Sequence, residues 1–346
     1  MVFVVAVTVV FINREGARSG SEPPPPAASG AQPGSVSPSP GRPSAQPPGE
    51  SSEPSPGAPD PSASGPSGSS SGRSAPSRTF AVGVRHLALQ RTVVRPLPTT
   101  VWYPASGTAG SAPEPDARVA GGRFPLVLLS HGMPSLPETY TDVAVRLAAA
   151  GFVVAAPRYP NTNLYSASPT MADVPNQPAD AFYVVESVFG LETTHGDPFS
   201  GHLDTSRYAA VGHSAGGFTT SWMLASPRDG RLVAAVIIAG GTVAPYREPA
   251  AEVLFIHGEA DRTISHSDGH ASYDLLSWSK AFLTVIGGDH KGYLTAGRPG
   301  FDPVIRTTRD FLRATLYGDD AARRRLPADG SADGARFEQR LWRGRG

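Results

Sequence analysis

From about residue 79 the chain alternates between short apolar runs and longer stretches whose apolar residues recur every three or four positions. The short runs predict strands over 80–89, 99–103, 125–130, 152–157, 208–212, 233–240, 252–258 and 281–288. Polar interruptions in the first two give them β-hairpin character. The later runs are nearly continuous in Val, Ile, Leu and Ala, as parallel strands covered on both faces must be. Helical spacing is predicted over 137–151, 178–190, 215–226, 268–279 and 303–318. In the first of these Pro137 stands near the start, Val143, Leu147 and Ala150 share a face, and Gly151 ends the pattern. Strand–helix alternation predicts an α/β class: a mostly parallel, eight-stranded sheet with helices on both faces and an antiparallel edge at the hairpin.

The pattern is absent before residue 79. Residues 21–78 hold 16 of the 36 prolines, no aromatic residue, and Val36 as the only apolar side chain larger than alanine. Such a segment cannot bury enough apolar surface to offset the entropy of ordering, so it is expected to be a disordered Pro/Ser/Gly-rich linker. Ahead of it, "MVFVVAVTVVFI" within residues 1–20 has the length of a signal-peptide core and is short for a membrane span. An exported or surface-tethered protein is the expectation, with membrane contact only through this segment if it is left uncleaved and a cytoplasmic location if the start is misassigned. The folded domain is then expected over 79–326. After it, an Arg-rich stretch 327–346, continuing the run Arg323, Arg324 and Arg325, reads as a solvated tail.

Composition narrows the chemistry further. Lysine plus arginine and aspartate plus glutamate both total 30 in 346 residues, giving a formal net charge of zero and no signature of a nucleic-acid groove. Absence of cysteine excludes disulfides, thiolate metal ligands and a cysteine nucleophile, and argues against a lipobox anchor.

Chemistry in a doubly wound sheet gathers at the carboxyl ends of its strands. There, "AVGHSAGGF" (210–218) sets Gly212, Ser214 and Gly216 in a G-x-S-x-G spacing between a predicted strand and a predicted helix. A sharp strand-to-helix turn lifts the serine hydroxyl above the sheet, and the helix N-terminus favours developing negative charge. Gly65, Ser67 and Gly68 lie close together too, but no strand precedes them. A serine needs a base and an orienting acid. In the order this fold requires, Asp261 follows the strand at 252–258 and His290 follows the last. Glu259 falls too early in its turn, and Asp289 is adjacent to His290. His131 and His213 are expected to support their turns by hydrogen bonds. His266 and His270 begin a helix without the further ligands a metal site needs.

Acyl transfer also needs backbone N–H groups aimed at the oxyanion. The amides of Ala215, after the serine, and Met133, in the turn "SHGMPS", are the predicted donors. The connections 158–178 and 191–204 are too short for a cap domain, so a shallow cleft is expected. Met133, Tyr159 and Tyr246 are the predicted substrate contacts.

Together "SHG" 130–132, "GHSAG" 212–216, "HGEADRTI" 257–264 and "GGDH" 287–290 resemble the α/β-hydrolase superfamily over about residues 79–326. More narrowly, "RPLPTTVWYPA" 95–105, "RFPLVLLSHG" 123–132 and "NQPADAFYVVESV" 176–188 resemble dienelactone-hydrolase-like serine esterases, related to the platelet-activating-factor acetylhydrolase, chlorophyllase and polyester-hydrolase groups. The resemblance implies hydrolysis of small or lipid-like carboxylic esters without a cofactor, by Ser214, Asp261 and His290. Dienelactone hydrolases use a cysteine nucleophile, and secreted polyester hydrolases carry a disulfide. This chain has neither, which points away from both substrates. A peptidase or thioesterase on the same three residues, and a non-catalytic surface binding protein, are the alternatives.

Overall fold

The computed structural model describes residues 74–340. The expectations for the apolar segment 1–20, for the linker as far as residue 73 and for residues 341–346 lie outside the described residues.

An antiparallel hairpin of β1 (Ala81–Thr92) and β2 (Arg95–Ala105) opens the domain. A two-residue β3 (Glu114–Pro115) borders β1. The body of the sheet is β4 (Phe124–Ser130), β5 (Val153–Pro157), β6 (Leu203–His213), β7 (Leu232–Ile238), β8 (Glu252–Gly258) and β9 (Lys280–Val285), paired in parallel. β2 joins β5 antiparallel, and β10 (Ala335–Arg340) closes the far edge antiparallel to β9. The strand order is β10-β9-β8-β7-β6-β4-β5-β2-β1-β3.

Among the described residues six α-helices cover the sheet: α1 (Thr141–Ala149), α2 (Gln177–Gly190), α3 (Ala215–Ala225), α4 (His266–Leu275), α5 (Phe301–Leu312) and α6 (Asp320–Gly330). Because side chains alternate across a strand, each central strand feeds two cores. Leu126 and Leu128 of β4, Ala210 of β6 and Phe255 of β8 pack with Val184 and Val188 of α2, Met223 of α3 and Tyr273 of α4. Their neighbours Val127, Leu129, Val211 and Ile256 pack with Leu147 of α1, Phe311 of α5 and Leu326 of α6. Burial on both faces explains the continuous apolar runs, each large side chain contributing about 1.5–3 kcal/mol. Mostly parallel strands with helices on both faces make this the α/β-hydrolase fold.

Three expectations need correction. The sheet has ten strands among the described residues, because β3 is too short to leave a pattern and β10, "ARFEQR", is a charged edge strand without apolar alternation. The C-terminal stretch is also no solvated tail as far as residue 340. Its arginines find acids on the domain: Arg323 makes a two-bond contact with Glu252 (2.9 and 3.0 Å), Arg325 reaches Asp310 (2.7 Å), and Arg340 lies 3.4 Å from Asp274. At the other end the domain begins slightly earlier than expected, since Arg313 donates to the carbonyl of Pro76.

Register sets the site. Ser130 lies level with Gly212 across β4 and β6, so the chain after each leaves the sheet side by side. Gly258 lies level with Val285 across β8 and β9, which does the same for the segments carrying Asp261 and His290.

Candidate active site

Ser214 sits between β6 and α3 with φ 54° and ψ −119°. A non-glycine residue there stores strain of about 1–3 kcal/mol, which the surroundings must hold. They do so tightly: Ser214 N–H donates to the Ile238 carbonyl (2.9 Å), and its own carbonyl accepts from Phe218 N–H (3.0 Å). A Cβ on Gly212 would overlap the Gly216 carbonyl, and one on Gly216 would overlap the Ser130 carbonyl. The two glycines of the motif are therefore a packing requirement of this turn. Ser214 is partly exposed while Gly212, His213, Ala215 and Gly216 are buried. Its side chain does not cap α3, and the Ala215 amide is one of the first-turn donors that a helix leaves without an internal partner.

The acid and the imidazole meet. His290 Nδ1–H donates to Asp261 Oδ2 at 2.8 Å, which leaves Nε2 as the nitrogen free to take a proton. Asp261 is buried and accepts three further contacts. Thr263 N–H (2.8 Å) and Ile264 N–H (3.1 Å) reach Oδ1, while His257 Nε2–H is shared between the Ile264 carbonyl (3.0 Å) and Oδ2 (3.3 Å). Burial alone would raise the carboxyl pKa. The bonds from His257, His290 and the two amides outweigh it and hold the group far below the usual carboxylate range. Asp261 is thus a permanent anion against the His290 ring. The rivals are engaged elsewhere: Asp289 accepts from the amides of Lys291 (3.1 Å) and Gly292 (2.5 Å), and Glu259 from Gly287 N–H (3.3 Å).

A buried hydrogen-bond chain ties three turns together. Gly132 N–H donates to the Tyr140 hydroxyl (2.9 Å), and that hydroxyl lies 2.8 Å from His213 Nδ1. His213 Nε2 lies 2.8 Å from the His290 carbonyl. A carbonyl only accepts, so His213 carries its proton on Nε2, and Tyr140 must donate to Nδ1. Burial lowers the pKa of His213 to about 3, with the charge of nearby His290 adding to the effect, and raises that of Tyr140 to about 12. Both groups therefore stay neutral, as the chain requires. Gly132 N–H is taken by its bond to Tyr140, and the next residue, Met133, lines the cleft. His131 supports the same turn, with Nδ1 2.7 Å from the Gly132 carbonyl and Nε2 accepting from Tyr159 N–H (3.1 Å).

These residues line one open cleft of about 690 Å³, shared by Gly132, Met133, Ser214, Arg262, His290 and Lys291. Ser214, Met133 and His290 are therefore brought together, with Asp261 directly behind His290. Tyr159 is not on this surface. It is fully buried, its hydroxyl 2.9 Å from Ser130 Oγ, and a side chain without accessible surface cannot touch a substrate. Tyr246 is turned away as well: its hydroxyl lies 2.6 Å from Ser221 Oγ and its ring packs on Trp278. Among the described residues no group of three or more His, Cys, Asp or Glu is arranged to hold a metal, and His270 instead meets Asp274 and Glu338.

Two contributors escaped the sequence. Tyr140 reads as one more position at a helix start, and only the side-by-side register of β4 and β6 reveals its place. His257 carried a usable signal, four residues before Asp261 at the end of an apolar strand.

Comparison with curated proteins gives no match. The family model described as platelet-activating factor acetylhydrolase, isoform II, matches residues 76–179, which span β1 to the start of α2 and include the Gly132–Met133 turn but end before Ser214. Over that stretch the chain is similar to this family of ester hydrolases with the α/β-hydrolase fold.

Proposed function

We propose that the chain is a serine hydrolase of carboxylic esters working through an acyl-enzyme. The observation that carries the reading is the 2.8 Å contact of a buried, permanently charged Asp261 with His290, in the same cleft as Ser214 on its strained turn. The family match over residues 76–179 supports an ester as the substrate.

In this reading His290 Nε2 takes the Ser214 hydroxyl proton as Oγ attacks the ester carbonyl. The amides of Met133 and Ala215 receive the oxyanion, where each well-placed donor is worth about 3–4 kcal/mol. Asp261 stabilises the imidazolium so formed. As the tetrahedral intermediate collapses, His290 returns the proton to the leaving alkoxide and Ser214 stays acylated. Water, deprotonated by the same Nε2, repeats the cycle and releases the acid. Neutral His213 suits this sequence, because a second charge beside His290 would oppose its protonation.

Turnover of p-nitrophenyl acetate and labelling by a fluorophosphonate test the proposal. Ser214→Ala is expected to lose on the order of 10⁶ in kcat and all labelling, with its circular dichroism unchanged. Full activity in that variant would overturn the reading.

A further inference from the structure

The charged residues of the cleft are unevenly placed. In the sheet order, β9 and β8 lie on one side of β6, which carries Ser214, and β4, which carries the Met133 turn, lies on the other. Arg262 follows Asp261 after β8, and Lys291 follows His290 after β9, so both cations stand on the His290 side. Both are exposed, and among the described residues neither has an acidic partner in an ion pair. Asp289, the one carboxylate on the same lining, is already bonded to the amides of Lys291 and Gly292. Asp261 is buried behind His290 and Asp289 is engaged, so the charges that reach the cleft surface without a partner on this side are the two cations. On the opposite side Met133 and Pro134 supply an apolar surface without charge.

Mechanism assigns the two sides, and this step rests on the ester-hydrolase reading. His290 must hand its proton to the leaving oxygen, so the alcohol part of the ester lies on the His290 side. The carbonyl oxygen points to the Met133 amide. We propose that the ester accepted by this cleft carries an anionic group, a carboxylate or a phosphate, on its alcohol part, received by Arg262 and Lys291. Guanidinium and ammonium groups suit these anions, Arg by a planar fork and Lys as a compact point charge. Their exposure makes the attraction dependent on salt, because charges in water are screened over roughly 10 Å at 0.1 M ionic strength.

Acetyl esters of one phenol bearing a meta carboxylate, its methyl ester or a trimethylammonium group test the inference, with a meta phosphonate separating the two anion types. Rates are divided by each ester's spontaneous hydrolysis. The carboxylate or phosphonate ester is expected to exceed the neutral one in kcat/KM by roughly tenfold at low salt, with the cationic ester the poorest. At about 0.5 M NaCl the advantage should largely vanish. In the double variant Arg262→Gln, Lys291→Gln the ratio of anionic to neutral ester should fall to near one. A ratio near one in the wild-type protein, or one that survives the double substitution, overturns the proposal. Hydrolysis of none of the esters would instead overturn the ester-hydrolase reading beneath it, and this inference with it.

Discussion

Two buried carboxylates, one on each side of the sheet's centre, are held in opposite ways. Asp261, at the end of β8, is surrounded by donors that carry no permanent charge: two imidazoles and two backbone amides. Asp180, in the first turn of α2, meets Arg91 at 2.7 Å and Arg95 in a multiple contact, and Arg95 also grips Asp173. The first anion keeps its net charge against the His290 ring. The second is neutralised on the spot and cross-links β2 to α2. Burial of a carboxylate is common to both, so burial alone marks neither for chemistry. What distinguishes them is whether the partner can change its charge.

The largest expected effect breaks the first arrangement. Asp261→Asn keeps the size of the side chain but puts an amide donor or a neutral oxygen against His290, so the ring loses both its orientation and its counter-charge. A fall in kcat of roughly 10³–10⁴ is expected, with the protein still folded. Steady-state kinetics with p-nitrophenyl acetate read it, and an activity within tenfold of wild type would remove Asp261 from its assigned role.

The matching change on the other side should do the reverse. Arg95→Met leaves Asp173 without its buried partner and Asp180 with Arg91 alone. Removing one member of a buried ion cluster costs about 3–5 kcal/mol. Urea unfolding is expected to show a loss near the lower figure, because Arg91 remains, while kcat per folded molecule stays close to wild type. A variant of full stability would show that the cluster gains no more from pairing than it loses by desolvation.

Acid separates the two regions more finely. Burial lowers the pKa of His213 to about 3 and of His131 to about 4, so the folded protein keeps both neutral. In the unfolded chain each takes up a proton near pH 6.5. Their contribution to stability is therefore complete above pH 6.5 and drains away as pH falls toward 4. At pH 5 the loss is about 2 kcal/mol for each. On the other side, the Arg95 guanidinium paired with Asp180 and Asp173 keeps its charge throughout that window. Unfolding free energies at pH 7.5 and 5.0 should thus differ by several kcal/mol in wild type, and His131→Gln should flatten the slope by about half. An unchanged slope would mean that water reaches these rings.

The same contrast explains what could be read from the sequence. β4 to β9 were legible because both faces of each are buried and the runs are nearly unbroken. The turn at Ser214 was legible because two glycines are forced by carbonyls that leave no room for a Cβ, and that demand is written at fixed spacing. That Asp261 and His290 would come together was legible from strand order. The remainder depends on distances across the chain. Tyr159 stands in a loop beside the site, yet its ring fills the space between Ser130 and His131, which sequence position alone cannot show. Tyr246 was misread for the same reason. β10 was missed because an edge strand needs polar residues, and a polar strand looks like a tail until its partner is known. The arginines around it looked solvated because their acids, Glu252, Asp310 and Asp274, are 71, 15 and 66 positions away.

The smallest effect tests whether the hydrogen-bond chain positions the cleft or merely fills space beside it. Tyr140→Phe removes one buried hydroxyl. Gly132 N–H loses its acceptor and His213 Nδ1 its donor, at about 1–3 kcal/mol for groups left unpaired. If that chain keeps the Met133 amide and the backbone of His290 in register with Ser214, the cost should appear chiefly in the transition state. The expected result is a fall in kcat of about 10- to 100-fold with KM altered less than about threefold, and slower fluorophosphonate labelling in proportion. His213→Gln, whose amide can still reach the His290 carbonyl, should retain more activity than His213→Leu, which cannot donate at all. A purely structural role predicts the opposite split: a lower melting temperature for each variant, with kcat and labelling of the folded fraction unchanged. That outcome would assign the alignment of the three turns to the strand register alone, Ser130 opposite Gly212 and Gly258 opposite Val285, with the Tyr140–His213 pair adding stability but no precision.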